Sequence, residues 1–386
     1  IEYNAAGQRI YTMVDSYDAV GNRIGRNTNG NPTTWLYDDA YRLIGQQKSG
    51  QRATFAYDNN SNLTTKWHQG GDPQTMQYDA ADRLTTMQVG GTATTFQWGL
   101  RGVMSRQYQA GTPVGTYSYT DINNNLRVAQ DAAGLTTSTY DGDNLRRKIV
   151  AGSLTTTFVW DGADYLQIKP SSGDPTLLVV LEGEVVGHVK GSEKRDYIAD
   201  PLGSMAAYLN SSQTLTDQFE YWPYGELITD VEVDTEPFLW VGSLGYFREN
   251  DLRTYIRARE YRQDLGSWMQ LDPLWPRWAG YQYSGQSPTT LVDFDGLPPK
   301  MRLVTLGYDV ATRSLDKGIA SSASHYSWPV AEVMELPLNA QGLLKSYRHA
   351  LELACYRNAS EEGGPFFVYR IQHVTPCGSS STVAKA

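Results

Sequence analysis

Cysteine is scarce in this chain: two residues of 386, Cys355 and Cys377. That excludes a fold stapled by several disulfides. No apolar run approaches ~18 residues, so no transmembrane helix is expected. No basic-then-apolar leader stands at the start. Positive charge is not in excess either. The net charge is −9, so the chain as a whole has no electrostatic footprint for nucleic acid. The chain starts at Ile1 rather than Met, as expected of a piece of a longer protein, with any secretion signal on the missing part. Its length allows two or three units with a large core.

What the chain does have is a repeat. Aromatic residues followed by turn formers stand at Tyr17, Tyr37, Tyr57, Tyr78, Trp98, Tyr119, Tyr140 and Trp160, always 20 or 21 residues apart. An aspartate follows most of them: Asp18, Asp38, Asp58, Asp79, Asp141 and Asp161. Small or polar residues come next, then an aliphatic residue, often after arginine, as in Arg23-Ile24, Arg42-Leu43, Leu63, Arg83-Leu84 and Leu145. The residue two before each aromatic is usually apolar: Trp35, Phe55, Met76, Phe96, Tyr117, Phe158. Period-two alternation with β-branched and aromatic residues predicts strands, and the Asp/Asn/Gly clusters predict tight turns. About twenty residues hold two strands and two turns, with no room for a helix. One such hairpin is not stable alone, so the units are expected to pair side by side into a curved sheet. The aromatics read as sheet packing rather than as a carbohydrate platform. The aspartates, one per hairpin, read as turn caps rather than metal ligands.

Beyond residue 180 the repeat gives way to composite motifs. Leu181 to Ser192 reads as a hairpin, with Gly183 and Gly187 near bends. Asp200-Pro201-Leu202-Gly203-Ser204 and Tyr221 to Glu226 (YWPYGE) read as β-turns. Arg257-Ala258-Arg259-Glu260-Tyr261 follows, then Asp272-Pro273, then Asp293-Phe294-Asp295-Gly296-Leu297. Taken locally, Arg259 fits a structural ion pair, Asp272 fits a turn before Pro273, and Asp293 or Asp295 fits an Asp-Gly turn.

The Tyr-Asp units from Tyr17 to Trp160, with these motifs in register up to Leu297, resemble the RHS/YD-repeat family. That family includes bacterial polymorphic toxins and the C component of Tc toxins. The resemblance implies a hollow β-shell wound around a C-terminal polypeptide. It further implies an intramolecular protease that cuts its own chain after a D-P-x-G-L motif. Residues 293–297 match that motif, with Phe294 where the family has proline, so the implied scissile bond is Leu297–Pro298. The implied catalytic groups are Arg259, Asp272 and Asp293, with Asp295 a weaker alternative to Asp293. Two carboxyls that share a site can serve as base and acid, and a guanidinium can orient them. Proline on the leaving side makes a tertiary amide.

The expected organisation is a YD-repeat shell over 1–180, a core with the autoproteolytic joint over 181–297, and a variable toxin-like segment over 298–386. The fold class is mainly β with a small α+β C-terminal segment. In that segment 302–308 and 366–374 read as strands, 341–357 as an amphipathic helix, and the tail from Gly378 as irregular. It carries nine Lys/Arg against seven Asp/Glu, a net of +2, which leaves −11 for the rest. His349, Cys355, His373 and Cys377 do not follow a standard zinc-finger spacing. Cys377 is followed by Gly378, Ser379 and Ser380, which excludes a zinc deaminase motif. No cofactor or metal is expected. The expected partners are the C-terminal segment itself as cargo and toxin-complex or secretion-system subunits, with no nucleic acid for the shell and no membrane span. The expected location is outside the producing cell or delivered into a target cell. Two rival functions are a surface adhesin or carbohydrate-binding wall protein, and a container that holds the segment without cutting it.

Overall fold

The computed structural model describes residues 2–3, 9–120, 122–228, 237–277 and 279–296, together with the strands Lys300–Tyr308, Ala331–Pro337, Phe366–Ile371 and Val383–Lys385. A sheet of 21 strands runs from Met13–Tyr17 to Leu215–Gln218. Neighbours in sequence are neighbours in the sheet, and all pair antiparallel, as in Thr34↔Gln47 and Gly45↔Thr54. The hairpin ladder therefore continues past the last Tyr-Asp unit and takes in the Asp200 turn. Gly183 lies in a turn at φ +80°, but Gly187 is not at a bend. It sits inside the strand Glu184–Lys190, where a Cβ would come within 2.6 Å of the Arg195 carbonyl oxygen.

Each part of the repeat has a physical task. The aromatic lies at a register shift at or near the end of its strand, for example between Leu36 and Tyr37. From there it donates a hydrogen bond back to an earlier strand: Tyr37 to the Arg23 carbonyl at 2.8 Å, Tyr78 to Leu63 at 2.8 Å, Trp98 to Leu84 and Trp160 to Arg146 at 2.7 Å. The aspartate folds the next turn. Asp58 Oδ1 accepts from the backbone N–H groups of Asn60 and Asn62 at 2.9 and 2.8 Å. Asp18, Asp38, Asp79, Asp141 and Asp200 repeat the pattern. These are the turn caps that the spacing predicts, whereas Asp161 ends the strand Leu154–Asp161 and pairs with Asp164. The apolar residues two before each aromatic are buried on the inner face.

In most units the position six residues after the aromatic also points inward, although Leu166, six after Trp160, is exposed. Leu43, Leu63, Leu84 and Met104 occupy it and are buried. Arg23 and Arg146 take the same place in their units and are buried as well, while Ile24 turns outward, 37% exposed. The repeat thus supplies two inward charges where leucine is the rule.

The sheet curls until its two ends meet. Tyr11 and Met13 pack with Ile198, Ala206, Ala207, Leu209 and Leu215. Arg26 forks onto both carboxylate oxygens of Asp15, at 2.6 and 2.8 Å, and reaches Asp200 at 2.7 Å. Among the described residues, 219–228, 237–277 and 279–296 fill the interior. Trp222, Tyr224, Leu265 and Met269 join one core with Trp35, Phe55 and Phe96. Phe238, Phe247 and Tyr255 join another with Phe158 and Ile168. Within the plug a four-stranded sheet runs Phe247–Arg248, Arg253–Ile256, Arg259–Arg262, Ser267–Trp268.

With both aromatic rows turned to the core, a carbohydrate-binding platform along the sheet is not favoured. In the C-terminal segment, Lys300–Tyr308 pairs with Ala331–Pro337 on one side and Phe366–Ile371 on the other, and the last pairs with Val383–Lys385. The strand at Val383–Lys385 differs from the irregular tail that its small polar composition predicts. The helix expected over 341–357 lies outside the described residues, as do the side chains of His349, Cys355, His373 and Cys377.

Candidate active site at the end of the plug

Arg253–Ile256 and Arg259–Arg262 form a hairpin whose loop is Arg257-Ala258, since Ile256 pairs with Arg259. The segment 293–296 lies directly against that loop. Three successive carbonyls of the segment are held by the two loop residues and the first residue of the following strand. Arg257 Nη1 donates to Phe294 O at 2.9 Å, Ala258 N to Asp295 O at 3.1 Å, and Arg259 Nε to Gly296 O. Gly296 is needed for this approach. Its φ is +74°, and a Cβ there would lie 2.5 Å from the Ile256 carbonyl oxygen.

Arg259 carries the centre of the site. Its Nη2 meets Asp272 Oδ2 at 2.9 Å and Asp293 Oδ2 at 3.0 Å. All three residues are buried, at 2%, 3% and 1% exposure, so these charges interact with little screening. The guanidinium lies over the Trp268 ring at 4.0 Å. Burial pulls the Arg259 pKa down, while Asp293 and then Asp272 oppose the fall. Asp272 also folds its local turn: Oδ1 accepts from Leu274 N at 2.7 Å. The ion-pair and turn readings of Arg259 and Asp272 are therefore both realised, on different atoms from one another. Tyr246 donates to the Asp293 carbonyl and pairs with Tyr283 at 3.0 Å, which fixes the backbone where the segment enters.

Of the residues singled out from sequence, Arg259, Asp272 and Asp293 converge within hydrogen-bond distance. Asp295 contributes its carbonyl to the loop. Leu297 and Pro298 lie outside the described residues. Sequence reasoning missed Arg257, Ala258, Tyr246 and Trp268. The first two follow once Arg257-Ala258 is seen as a two-residue hairpin loop. Tyr246, just before the strand Phe247–Arg248, and Trp268, on the strand that pairs with Arg259–Arg262, leave no local signal of their role.

A second polar cluster locks plug to sheet. Arg146 reaches Glu249 and Glu260, and Arg253 reaches Asp131 and, at 3.1 Å, Glu249. Burial, then the neighbouring Glu249, pushes the Glu260 carboxyl up to about 8. Lys66 pairs with Glu226 at a further point.

This fold, a curled sheet of Tyr-Asp hairpins around a plug, is shared with solved chains of Tc toxins. Among solved structures it is similar to a chain of the Photorhabdus luminescens Tc holotoxin pore bearing a TccC3 substitution, with TM-score 0.52 and 16% identity, over 77% of this chain and 19% of that chain. A TcdB2–TccC3 structure without the hypervariable C-terminal region gives TM-score 0.39 at 15% identity, over 77% of this chain and 20% of that one. Salivary gland surface protein 1 of Aedes aegypti is 24% identical over 178 residues, 44% of this chain and 5% of that protein. The chain thus spans a fifth or less of the length of these relatives. No family model matches it. Among the described residues, no helix is long and apolar enough to cross a membrane.

Proposed function

We propose that this chain is part of an RHS-type toxin, a β-shell that cuts its own chain between Leu297 and Pro298 to release the C-terminal segment 298–386. The carrying observation is the convergence of Asp272 and Asp293 on one nitrogen of Arg259, while the same guanidinium holds the carbonyl of Gly296. That carbonyl stands one residue before the proposed scissile carbonyl.

The arrangement fits hydrolysis by a carboxyl pair. In the proposed reaction one carboxyl of the pair acts as the base and the other, carrying a proton, as the acid. The ionised member takes a proton from water as the oxygen adds to the Leu297 carbonyl carbon. The protonated member gives its proton to the Pro298 nitrogen as the C–N bond breaks. The products are a Leu297 carboxyl group and a free Pro298 amine, and the pair again holds one proton. Arg259 aligns both acids and offsets the charge that builds on the carbonyl oxygen. Its own strand delivers the substrate segment, so the reaction starts from a bound geometry. The chain would be secreted or delivered into a target cell, with toxin-complex subunits as partners and its own C-terminal segment as cargo.

The test is a denaturing gel of the purified chain with N-terminal sequencing. The reading expects two fragments, the smaller beginning at Pro298. Asp272→Asn and Asp293→Asn should each leave one intact chain, and Arg259→Lys should slow cutting by at least about a hundredfold, since a lysine cannot serve two acids and a carbonyl at once. Fragments that persist at wild-type level in Asp272→Asn would sink the assignment, as would a wild-type chain that stays whole.

A further inference from the structure

We infer that Arg257 is a positioning residue for the cut, and that its guanidinium forms a subsite selecting an aromatic side chain at residue 294. The inference rests on the autoproteolytic reading above.

The backbone supplies the first argument. Arg257 is the first residue of a two-residue hairpin loop and has φ +41°. Hairpin loops with a positive φ at that place favour glycine, because a Cβ is strained there. An arginine in such a position carries a local cost, and its side chain is where an offsetting gain is to be sought.

The side chain makes an unusual set of contacts. Nε and Nη2 both donate to the Ala163 carbonyl at 3.1 Å, in a turn of the surrounding sheet. Nη1 donates to Leu244 O and to Phe294 O, each at 2.9 Å. The guanidinium carbon lies 4.7 Å from the centre of the Phe294 ring. Arg257 therefore ties three parts together: the sheet, the 242–245 turn and the segment to be cut. Gly245 makes room for it, since a Cβ there would lie 3.0 Å from Arg257 Nη2. All three carbonyls face the same cation, so the site is built around the guanidinium plane.

The chemistry of Phe294 completes the argument. A proline at residue 294 would preset the turn through its fixed φ. Phenylalanine does not. Here the ring is held by the face of a buried cation and the carbonyl by the same cation, so the conformation is set from outside the segment. A cation over a partly buried aromatic ring contributes on the order of 1 kcal/mol, about a fivefold effect on a rate if the contact persists in the transition state. An aliphatic side chain of similar bulk keeps the packing and loses that term.

The experiment follows cleavage of the full chain over time after cell-free synthesis. Phe294→Leu should slow it about fivefold, and Phe294→Tyr, which keeps a ring, should recover most of that loss. Arg257→Met, which removes the cation, should slow it at least as much. In the double variant Arg257→Met/Phe294→Leu the two effects should not fully multiply, because both remove the same cation–ring contact. Trypsin resistance of the uncut chain reports folding in each case. Should Arg257→Met fail to fold, the Leu and Tyr variants at residue 294 decide alone. Leu and Phe cutting at the same rate, or fully multiplicative effects, overturns the subsite. Loss of that pattern while Asp272→Asn still blocks cutting rejects the subsite and leaves the carboxyl pair standing. Unimpaired cutting by Asp272→Asn rejects both.

Discussion

Asp58 holds the turn after Tyr57 with one oxygen, which accepts two backbone N–H groups, while the other accepts from Asn62 Nδ2 at 3.0 Å. That double use is why aspartate recurs at this position. Threonine takes the role after Tyr119, where Thr120 Oγ1 accepts from Asn125 N at 3.1 Å. Removing the carboxylate leaves two turn amides unpaired, and hydrogen bonds to a charged acceptor are worth roughly 1.5–3 kcal/mol. Asp58→Ala should therefore lower unfolding stability by about 2 kcal/mol in urea, with Asp58→Asn intermediate. An unchanged midpoint for Asp58→Ala would show that the turn is set by Tyr57 and the ladder alone. Residues of this kind were legible in the sequence because each acts on its own neighbours. Arg23 and Arg146 were half legible. The repeat places them in the inward leucine slot, but nothing local names their partners, which stand at Asp200, Glu249 and Glu260. Arg259, Asp272 and Asp293 could be named only through a family resemblance. Thirteen and twenty-one residues of sequence separation carry no geometric information by themselves.

At the scale of the element, the strand Arg259–Arg262 has opposite tasks on its two faces. Arg259 faces Asp272 and Asp293, and the adjacent Glu260 faces Arg146 in the surrounding sheet. Around Glu260 stand Glu249 and Arg253 from the plug, and Arg146, Asp131 and the hydroxyls of Tyr140 and Tyr255. Burial and the nearby Glu249 raise the Glu260 carboxyl to about 8 from an ordinary value of 4.5. The folded state therefore binds a proton more tightly than the unfolded chain. Stability from this group is present in full below about pH 4.5, falls as pH rises, and is lost by about pH 8. A tenfold change in proton affinity corresponds to about 1.4 kcal/mol. The wild-type protein should lose stability to urea between pH 5 and 8, and Glu260→Gln should flatten that slope, because an amide keeps the neutral form's hydrogen-bonding shape at every pH. A slope of equal size in the variant would place the titrating group elsewhere.

At the scale of the whole molecule, the repeat predicts a curved sheet, but where the curve ends is decided by contacts that have no period. The seam depends on Arg26, which Asp15 and Asp200 share from the two ends of the sheet, with Arg23 at 3.5 Å from each acid. Burial pushes the Asp15 carboxyl up, yet the hydrogen bonds and charges of Arg26 and Arg23 outweigh it and bring it down to about 2. Asp200 is lowered in the same way, burial again being overcome by Arg26 and Arg23. A carboxyl depressed on folding stabilises the protein above its unfolded value, near 3.8 for Asp15, and that contribution is lost as pH falls toward 2. The seam between the two ends of the sheet thus keeps its ion pairs in mild acid. Arg26→Met removes the shared cation and leaves two buried acids facing each other, with only the more distant Arg23 between them. Stranding buried charge costs about 3–5 kcal/mol. The variant should unfold earlier in urea and open first at the seam, so that limited proteolysis cuts near residues 11–17 and 199–218 before the central hairpins. Raising the acidity to pH 4 should restore the variant by more than the gain that Glu260 gives the wild type, because protonating Asp15 or Asp200 also relieves the repulsion. Proteolysis that spreads evenly over all hairpins, or a variant that gains no more than the wild type, would mean that the apolar contacts of Tyr11 and Met13 with the last strands close the sheet without the arginine.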